Sequence, residues 1–232
     1  MDAPQDISSL EARLAVLETR VTRLDDVNAI RRLHNLYGYY IDKCLYRETV
    51  DLFADDGEVR FFGGIYRGKA GVARLYVERF QKNFTNGLNG PVDGFLLDHM
   101  QMQDVIDVAP DGKTALGRFR AFMTAGRHKD HGGPRQWWEG GLYENEYVKD
   151  GGVWKIKVLN YMPQWHADFE TGWAHTRPAY LPFPSKTLAE GDPLGPDELI
   201  KDAWLWPDHK VVPFHCPHPV TGQPITPEVA PK

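Results

Sequence analysis

The residues with chemistry to offer in this chain gather first around Asp42. It follows the phenols Tyr37, Tyr39 and Tyr40 and precedes Tyr46. At about 100° per residue, a helix here puts Tyr39, Asp42 and Tyr46 on one stripe and Tyr37, Tyr40 and Cys44 on its neighbour. Asp42 falls late in that helix, where a carboxylate opposes the helix dipole, so capping does not explain it. It can accept a backbone or arginine hydrogen bond, or it can hold a histidine in one tautomer and stabilise its imidazolium. The histidine suited to such work is His99, at the head of the strand-like run Phe95 to Gln103. There it shares a face with Leu97, Gln101 and Gln103. Imidazole titrates near neutrality and can both take and return a proton.

Other constellations carry less. His128-Lys-Asp-His131 and His215-Cys-Pro-His218 invite a metal. Neither has four ligands at zinc-finger spacing or the His-Glu-x-x-His order, so the expectation is no metal and no cofactor. No glycine-rich phosphate loop follows a strand, and no Gly-x-Ser-x-Gly elbow occurs. Arg118 and Arg120 alternate about Phe119, a pattern that suits an exposed sheet face.

The bulk properties narrow the class. A length of 232 residues with 42% hydrophobic and 25% charged residues is that of one soluble domain with appendages. The net charge of −5 argues against nucleic acid or an acidic membrane as partner. No apolar run approaches the roughly 18 residues of a span, and the first residues lack the order of a signal peptide. Only two cysteines, Cys44 and Cys216, suit a reducing, cytoplasmic setting. The 12% aromatic content suits a pocket for an aromatic or polycyclic ligand, although tryptophans pinning a tail would look the same.

These residues need elements to hold them. Residues 1–26 carry a heptad stripe, Ile7, Leu14 and Val21 with Leu10, Leu17 and Leu24, which is either packed on its own domain or an oligomerisation arm. A wider apolar arc from Val27 to Leu45 marks a helix buried against a sheet. A short helix at Val50 to Ala54 ends in an Asp55-Asp56-Gly57 turn. A strand follows at Glu58 to Phe62, with a Gly63-Gly64 turn into a return strand through Tyr66. Lys69 to Phe84 is a second amphipathic helix. Four strands joined by hairpins come next: Phe95 to Val108, Thr114 to Ala125, Trp138 to Lys149, and Val153 to Tyr161. Helices first and strands after argue for α+β with a strongly curved, mostly antiparallel sheet. Residues 27–170 would form the pocket domain. Residues 171–232 hold 12 of the 17 prolines, interleaved with tryptophans, and read as an extended, ordered wrap.

Four motifs resemble the SnoaL-like group of the nuclear transport factor 2-like superfamily. They are Tyr37-x4-Asp42 leading to Leu52-Phe-Ala-Asp-Asp56, then Tyr66-Arg-Gly-Lys-Ala-Gly-Val72, then His99 at a strand head. The fourth, Gly141-Leu-Tyr143 through Asp150-Gly-Gly-Val-Trp-Lys-Ile156, continues to Trp165 and is similar to scytalone dehydratase. The resemblance implies a cone-shaped half-barrel whose pocket lies between the sheet and the first helix. It also implies cofactor-free acid–base chemistry by Asp42 and His99, with Tyr40 beside them as a third catalytic candidate. Tyr37, Tyr39, Tyr46, Phe62, Gln101, Tyr143, Asn145 and Trp165 become the candidate substrate contacts. Two departures stand out. Ile41 occupies the position where the dehydratase has a tyrosine, and Phe119, Arg120 and Ala121 stand where a second histidine is expected.

The function expected is a lyase acting on an oxygenated aromatic small molecule. It would lose water, or formaldehyde as in the lignin-derived diarylpropane formaldehyde-lyases that this group resembles. Ketone isomerisation or polyketide cyclisation, which need a carboxylate base, form one rival. A non-catalytic binding module related to dioxygenase small subunits is the other. Self-association as a dimer or trimer is expected from the seam and the tail.

Overall fold

The computed structural model describes residues 7–132, 134–178, 180, 188–200, 205–208 and 210–228. Trp204 and His209, both part of the expected wrap, lie outside them. Helix α1 runs unbroken from Ile7 to Asp42. Residues 7–25 are exposed throughout, so the heptad stripe is not packed on its own domain. Burial begins at Asp26, which accepts from Lys149 Nζ at 2.6 Å and Trp154 Nε1 at 2.8 Å. Beyond it, Ile30, His34, Tyr37, Gly38 and Ile41 form the buried face. Gly38 is required there, because a Cβ would stand 2.6 Å from Cγ of Gln101 on the sheet.

After α2 (Tyr46–Asp51) come β1 (Phe53–Phe61) and β2 (Gly64–Arg67). β1 starts earlier than its alternation suggests. The Asp55-Asp56-Gly57 stretch is an irregularity inside the strand, where pairing shifts between Phe53 and Glu58. The β1–β2 turn is Phe62-Gly63 rather than Gly63-Gly64, with φ of 46° and 78°. A phenylalanine in this region is strained, and the turn holds its ring inward, 7% exposed. The next helix is three pieces: α3 (Gly68–Ala73), a π-helical stretch Arg74–Gln81, and α4 (Lys82–Thr85). Such wide turns recur at functional sites, and this one carries Tyr76 and Phe80.

Four long strands follow: β3 (Phe95–Val108), β4 (Thr114–Arg127), β5 (Arg135–Asp150) and β6 (Val153–Asp168). With β7 (Glu198–Leu199) the sheet order is β3-β4-β5-β6-β1-β2-β7. Among the described residues, only β1 and β6 pair in parallel. The sheet is curved and unclosed, as expected for the α+β half-barrel. Its core joins Ile30, Phe53, Val59, Leu75, Ile156 and Leu159.

The tail lies on this framework. β7 pairs with the edge of β2, and Arg74 Nη2 reaches Asp197 at 2.7 Å. Arg118 does not face solvent as its alternation suggested. It is buried beneath the tail, with the Phe214 ring 4.0 Å from its guanidinium carbon and the carbonyls of Val212 and Pro213 accepting from it. No helix among the described residues is long and apolar enough to cross a membrane.

Candidate active site

The sheet and helices enclose a strongly aromatic cavity, with about 70 Å³ of free room, enough for a few waters or part of a flat ring. α1 contributes Tyr37 and Ile41, and Tyr46 comes from α2. Phe61 and Phe62 come from the β1–β2 hairpin, and Tyr76, Phe80 and Phe84 from the π-helical stretch and α4. The sheet supplies Leu97, His99, Met123, Trp137, Glu139, Tyr143 and Tyr161.

His99 is buried in this wall, and its Nε2 has no hydrogen-bond partner among the described residues. Burial lowers the pKa of its imidazole, while Glu139 and Asp98 act to raise it. The ring is therefore neutral at physiological pH, which leaves a lone pair free at one nitrogen. Tyr161 and Tyr143 stand beside it, with ring centroids 5.5 and 6.0 Å away.

The carboxylate serving this cavity is Glu139. Its Oε2 lies 2.7 Å from His166 Nε2, and its Oε1 accepts from the hydroxyl of Tyr161. Burial alone pushes the Glu139 pKa up, but His166, Tyr161 and His99 outweigh it and leave the value below the usual carboxylate range. Glu139 is therefore an anion held in an apolar wall. Its neighbour Tyr161 is shifted the other way: burial and the Glu139 charge push the phenol well above its ordinary range. Trp137 Nε1 and His166 Nδ1 are also buried with no hydrogen-bond partner among the described residues.

A bulge brings this group together. Gly140 pairs with Trp165 and Gly141 with Pro163, so one extra residue of β6 sits between them. The slip reverses the facing of every later side chain on the strand: His166 turns inward and Trp165 outward. Trp165 therefore packs near Phe122 and Trp173 and leaves the cavity. Gly141 admits the Tyr161 ring, because a Cβ would stand 2.5 Å from its Cε2.

The expected site residues divide. Tyr37, Tyr46, Phe62, His99 and Tyr143 line the cavity. Asp42 does not. Its Oδ1 accepts the backbone N–H of His99 at 2.6 Å, so it orders the strand and leaves the imidazole tautomer untouched. Burial raises its pKa, an effect the His99 amide partly offsets. Tyr39 is 69% exposed, and Tyr40 is also outside the lining. Gln101 and Asn145 point into a polar knot below the cavity. Gln101 Oε1 lies 2.9 Å from His34 Nε2, and Asn145 Nδ2 lies 3.2 Å from His34 Nδ1. Stacked on Phe119 at 3.7 Å, His34 has its pKa driven to about 3, first by burial. Glu139 was legible from parity, since it shares a face of β5 with Tyr143 and Asn145. His166 was not, because the bulge that turns it inward has no marker beyond Pro163.

A curved, unclosed sheet capped by helices is the cone fold of the nuclear transport factor 2-like superfamily. Within it, residues 22–160 match the SnoaL-like domain family, and the chain belongs to that family. Among solved structures, LinA is 17% identical with a TM-score of 0.54, covering 65% of this chain and 94% of its own. The type 2 hexachlorocyclohexane dehydrochlorinase (LinA) is 18% identical at a TM-score of 0.54, covering 69% and 99%. A scytalone dehydratase-like protein from Novosphingobium aromaticivorans DSM 12444 is 22% identical at 0.51, covering 68% and 93%. At these identities the likeness concerns the fold. No curated protein sequence matches the chain.

Proposed function

We propose that the protein is a cofactor-independent lyase acting on an oxygenated aromatic small molecule, with His99 as its acid–base group. One observation carries this: a buried, neutral imidazole whose Nε2 has no partner among the described residues and faces an aromatic cavity. Nε2 takes a proton from the carbon beside the aryl-bearing carbinol, and the electron pair forms a double bond conjugated with the ring. As the carbon–oxygen bond breaks, the new imidazolium returns its proton to the departing hydroxide, which leaves as water. Glu139, fixed by His166 and Tyr161, stabilises the imidazolium across the cavity, the part expected of Asp42. With a hydroxymethyl substituent on that carbon, Nε2 would take the alcohol proton instead: the carbon–carbon bond breaks to release formaldehyde, its electron pair forms the double bond, and the carbinol hydroxide takes the proton and leaves as water.

The rivals have less support. A ketone isomerase would use a carboxylate base, and Glu139 is held below the usual carboxylate range, a weak base. A vestigial binding pocket would not retain partnerless polar atoms at His99 and Trp137 in an aromatic wall, because each costs stability.

The test is to incubate purified protein with a panel of aryl carbinols and aryl propanediols. Ultraviolet absorbance follows the conjugated alkene, and a colorimetric trap follows formaldehyde. Turnover that disappears in His99→Ala supports the reading. Equal turnover in His99→Ala, or none on any member of the panel with tight binding retained, overturns it.

A further inference from the structure

The geometry points to a second site, outside the cavity: Asp107, His215 and Cys216 form a binding site for a divalent metal of the zinc class. Asp107 comes from β3, while His215 and Cys216 belong to the tail segment that covers Arg118. One ligand atom from each of the three lies within 4.8 Å of the other two. His215 Nε2 and Asp107 Oδ2 are 3.2 Å apart. Zinc bonds of roughly 2.0 Å to nitrogen or oxygen and 2.3 Å to sulfur, at tetrahedral angles, separate ligand atoms by about 3.3–3.7 Å. The first pair is already close to that spacing, and the thiol lies within 4.8 Å of both atoms.

The surroundings of His215 are those of a ligating imidazole. Its side chain is only 9% exposed, and Nε2 is buried without a well-aligned hydrogen bond. Its other nitrogen, Nδ1, lies 3.1 Å from Glu144 Oε2, while Glu144 Oε1 accepts from Arg118 Nε. A carboxylate on the far nitrogen, itself anchored, places the proton on Nδ1 and leaves the Nε2 lone pair facing Asp107 and Cys216. A thiolate, an imidazole and one carboxylate select zinc-like ions over magnesium or calcium. Asp107, with its side chain 50% exposed, leaves the fourth position open to water. An imidazolium wedged between Asp107 and Glu144 would account for His215 alone, but it gives the thiol no part.

The site was hidden in sequence, because the third ligand stands over a hundred residues from His215-Cys216. Its role is to fasten the tail to the sheet. It lies eight residues along β3 from His99, so the cavity chemistry does not depend on it.

The test uses the full chain, stripped with a chelator and titrated with zinc against a chromophoric competitor. One zinc per chain is expected. Cys216→Ser and Asp107→Asn should each weaken it at least tenfold, Glu144→Gln should weaken it less, and Cys44→Ser should leave it unchanged. Cobalt loading should give a thiolate-to-metal charge-transfer band that Cys216→Ser lacks. Asp107→Asn, a half-exposed change, keeps the test readable should Cys216→Ser fold poorly. No stoichiometric zinc, no such band, or wild-type affinity retained in Cys216→Ser and Asp107→Asn overturns the site.

Discussion

Asp42 Oδ1 accepts the backbone N–H of His99 at 2.6 Å, and the imidazole of the same residue lines the cavity without it. The helix and the strand are thus tied at the position expected to be a catalytic pair, but through the main chain. Asp42→Asn keeps an oxygen for that amide, so turnover should fall less than about tenfold. His99→Ala should cost on the order of 10²–10⁴, the usual yield of general acid–base catalysis. The double mutant should lose the product of the two, because the groups act independently. Turnover numbers for the three variants check this. A double mutant no worse than His99→Ala would restore the dyad.

On the proposed mechanism, His99 sets the pH profile. Burial lowers its pKa below the ordinary value of 6.5. The base works when neutral, so kcat/KM should be flat through neutrality and fall only at acidic pH, as the ring gains a proton. Glu139 acts to raise that pKa, so Glu139→Gln should move the acid limb to still lower pH and reduce kcat. A pH–rate series on both proteins measures it. An upward shift in the variant would mean that Glu139 does not face the imidazole electrostatically.

Strand alternation made most of the fold legible, because a half-buried sheet fixes side-chain facing residue by residue. His99 and Tyr143 fell on the inward face for that reason. The helical stripes held only in part: Tyr37 lines the cavity from α1, but α1 ends at Asp42, so Tyr46 reaches the cavity from α2, and Tyr39 is largely exposed. Strand alternation failed wherever the ladder slips, since one extra residue reverses every later facing. That is why Trp165 was placed inward and His166 was missed. Gln101 and Asn145 were assigned the right face but not the right neighbour, since His34, buried on α1, claims both. The tail over Arg118 was legible only as composition, because extended segments without periodicity carry no facing signal.

Gly141 gives a sharp test of the bulge. An added Cβ would stand 2.5 Å from Cε2 of Tyr161 and 2.7 Å from its hydroxyl. Gly141→Ala must therefore displace that ring and loosen its bond to Glu139. The expected cost is about 1–3 kcal/mol in stability, typical of overpacking, and at least a tenfold loss of turnover. Denaturant unfolding and turnover on the same samples read both. Unchanged turnover would remove Tyr161 from the positioning of Glu139.

Acid should unfold the protein partly through His34. Its folded pKa is about 3, against roughly 6.5 in an unfolded chain. Between those values the unfolded chain binds a proton that the folded chain refuses. The neutral ring's contribution is thus complete above about pH 6.5 and lost as pH falls toward 3, at up to ~1.4 kcal/mol per pH unit. Urea unfolding measured between pH 7 and 4 should show this slope, and His34→Gln should flatten it by up to one proton. An unchanged slope would mean that His34 takes up its proton without unfolding the chain.

The exposed seam on α1 sets the last expectation. Ile7, Leu10, Leu14, Leu17, Val21 and Leu24 are 44–72% exposed, and the helix carrying them projects beyond the first buried contact at Asp26. We propose a second copy of this chain as the occupant, because the stripe repeats at heptad spacing and its flanks carry both signs of charge, as in Arg13, Glu18 and Arg20. Burying such side chains is worth up to roughly 1.5–3 kcal/mol each, enough for association at micromolar concentration even after the entropic cost. Deleting residues 1–24 removes the seam but none of the contacts of Asp26. Sedimentation should therefore show the full chain as an oligomer and the truncated chain as a folded monomer. Replacing Leu14 and Leu17 with glutamate should give the same result without shortening the helix. A full chain that sediments as a monomer at micromolar concentration would end the proposal, and a truncated chain that unfolds would make the arm part of the domain.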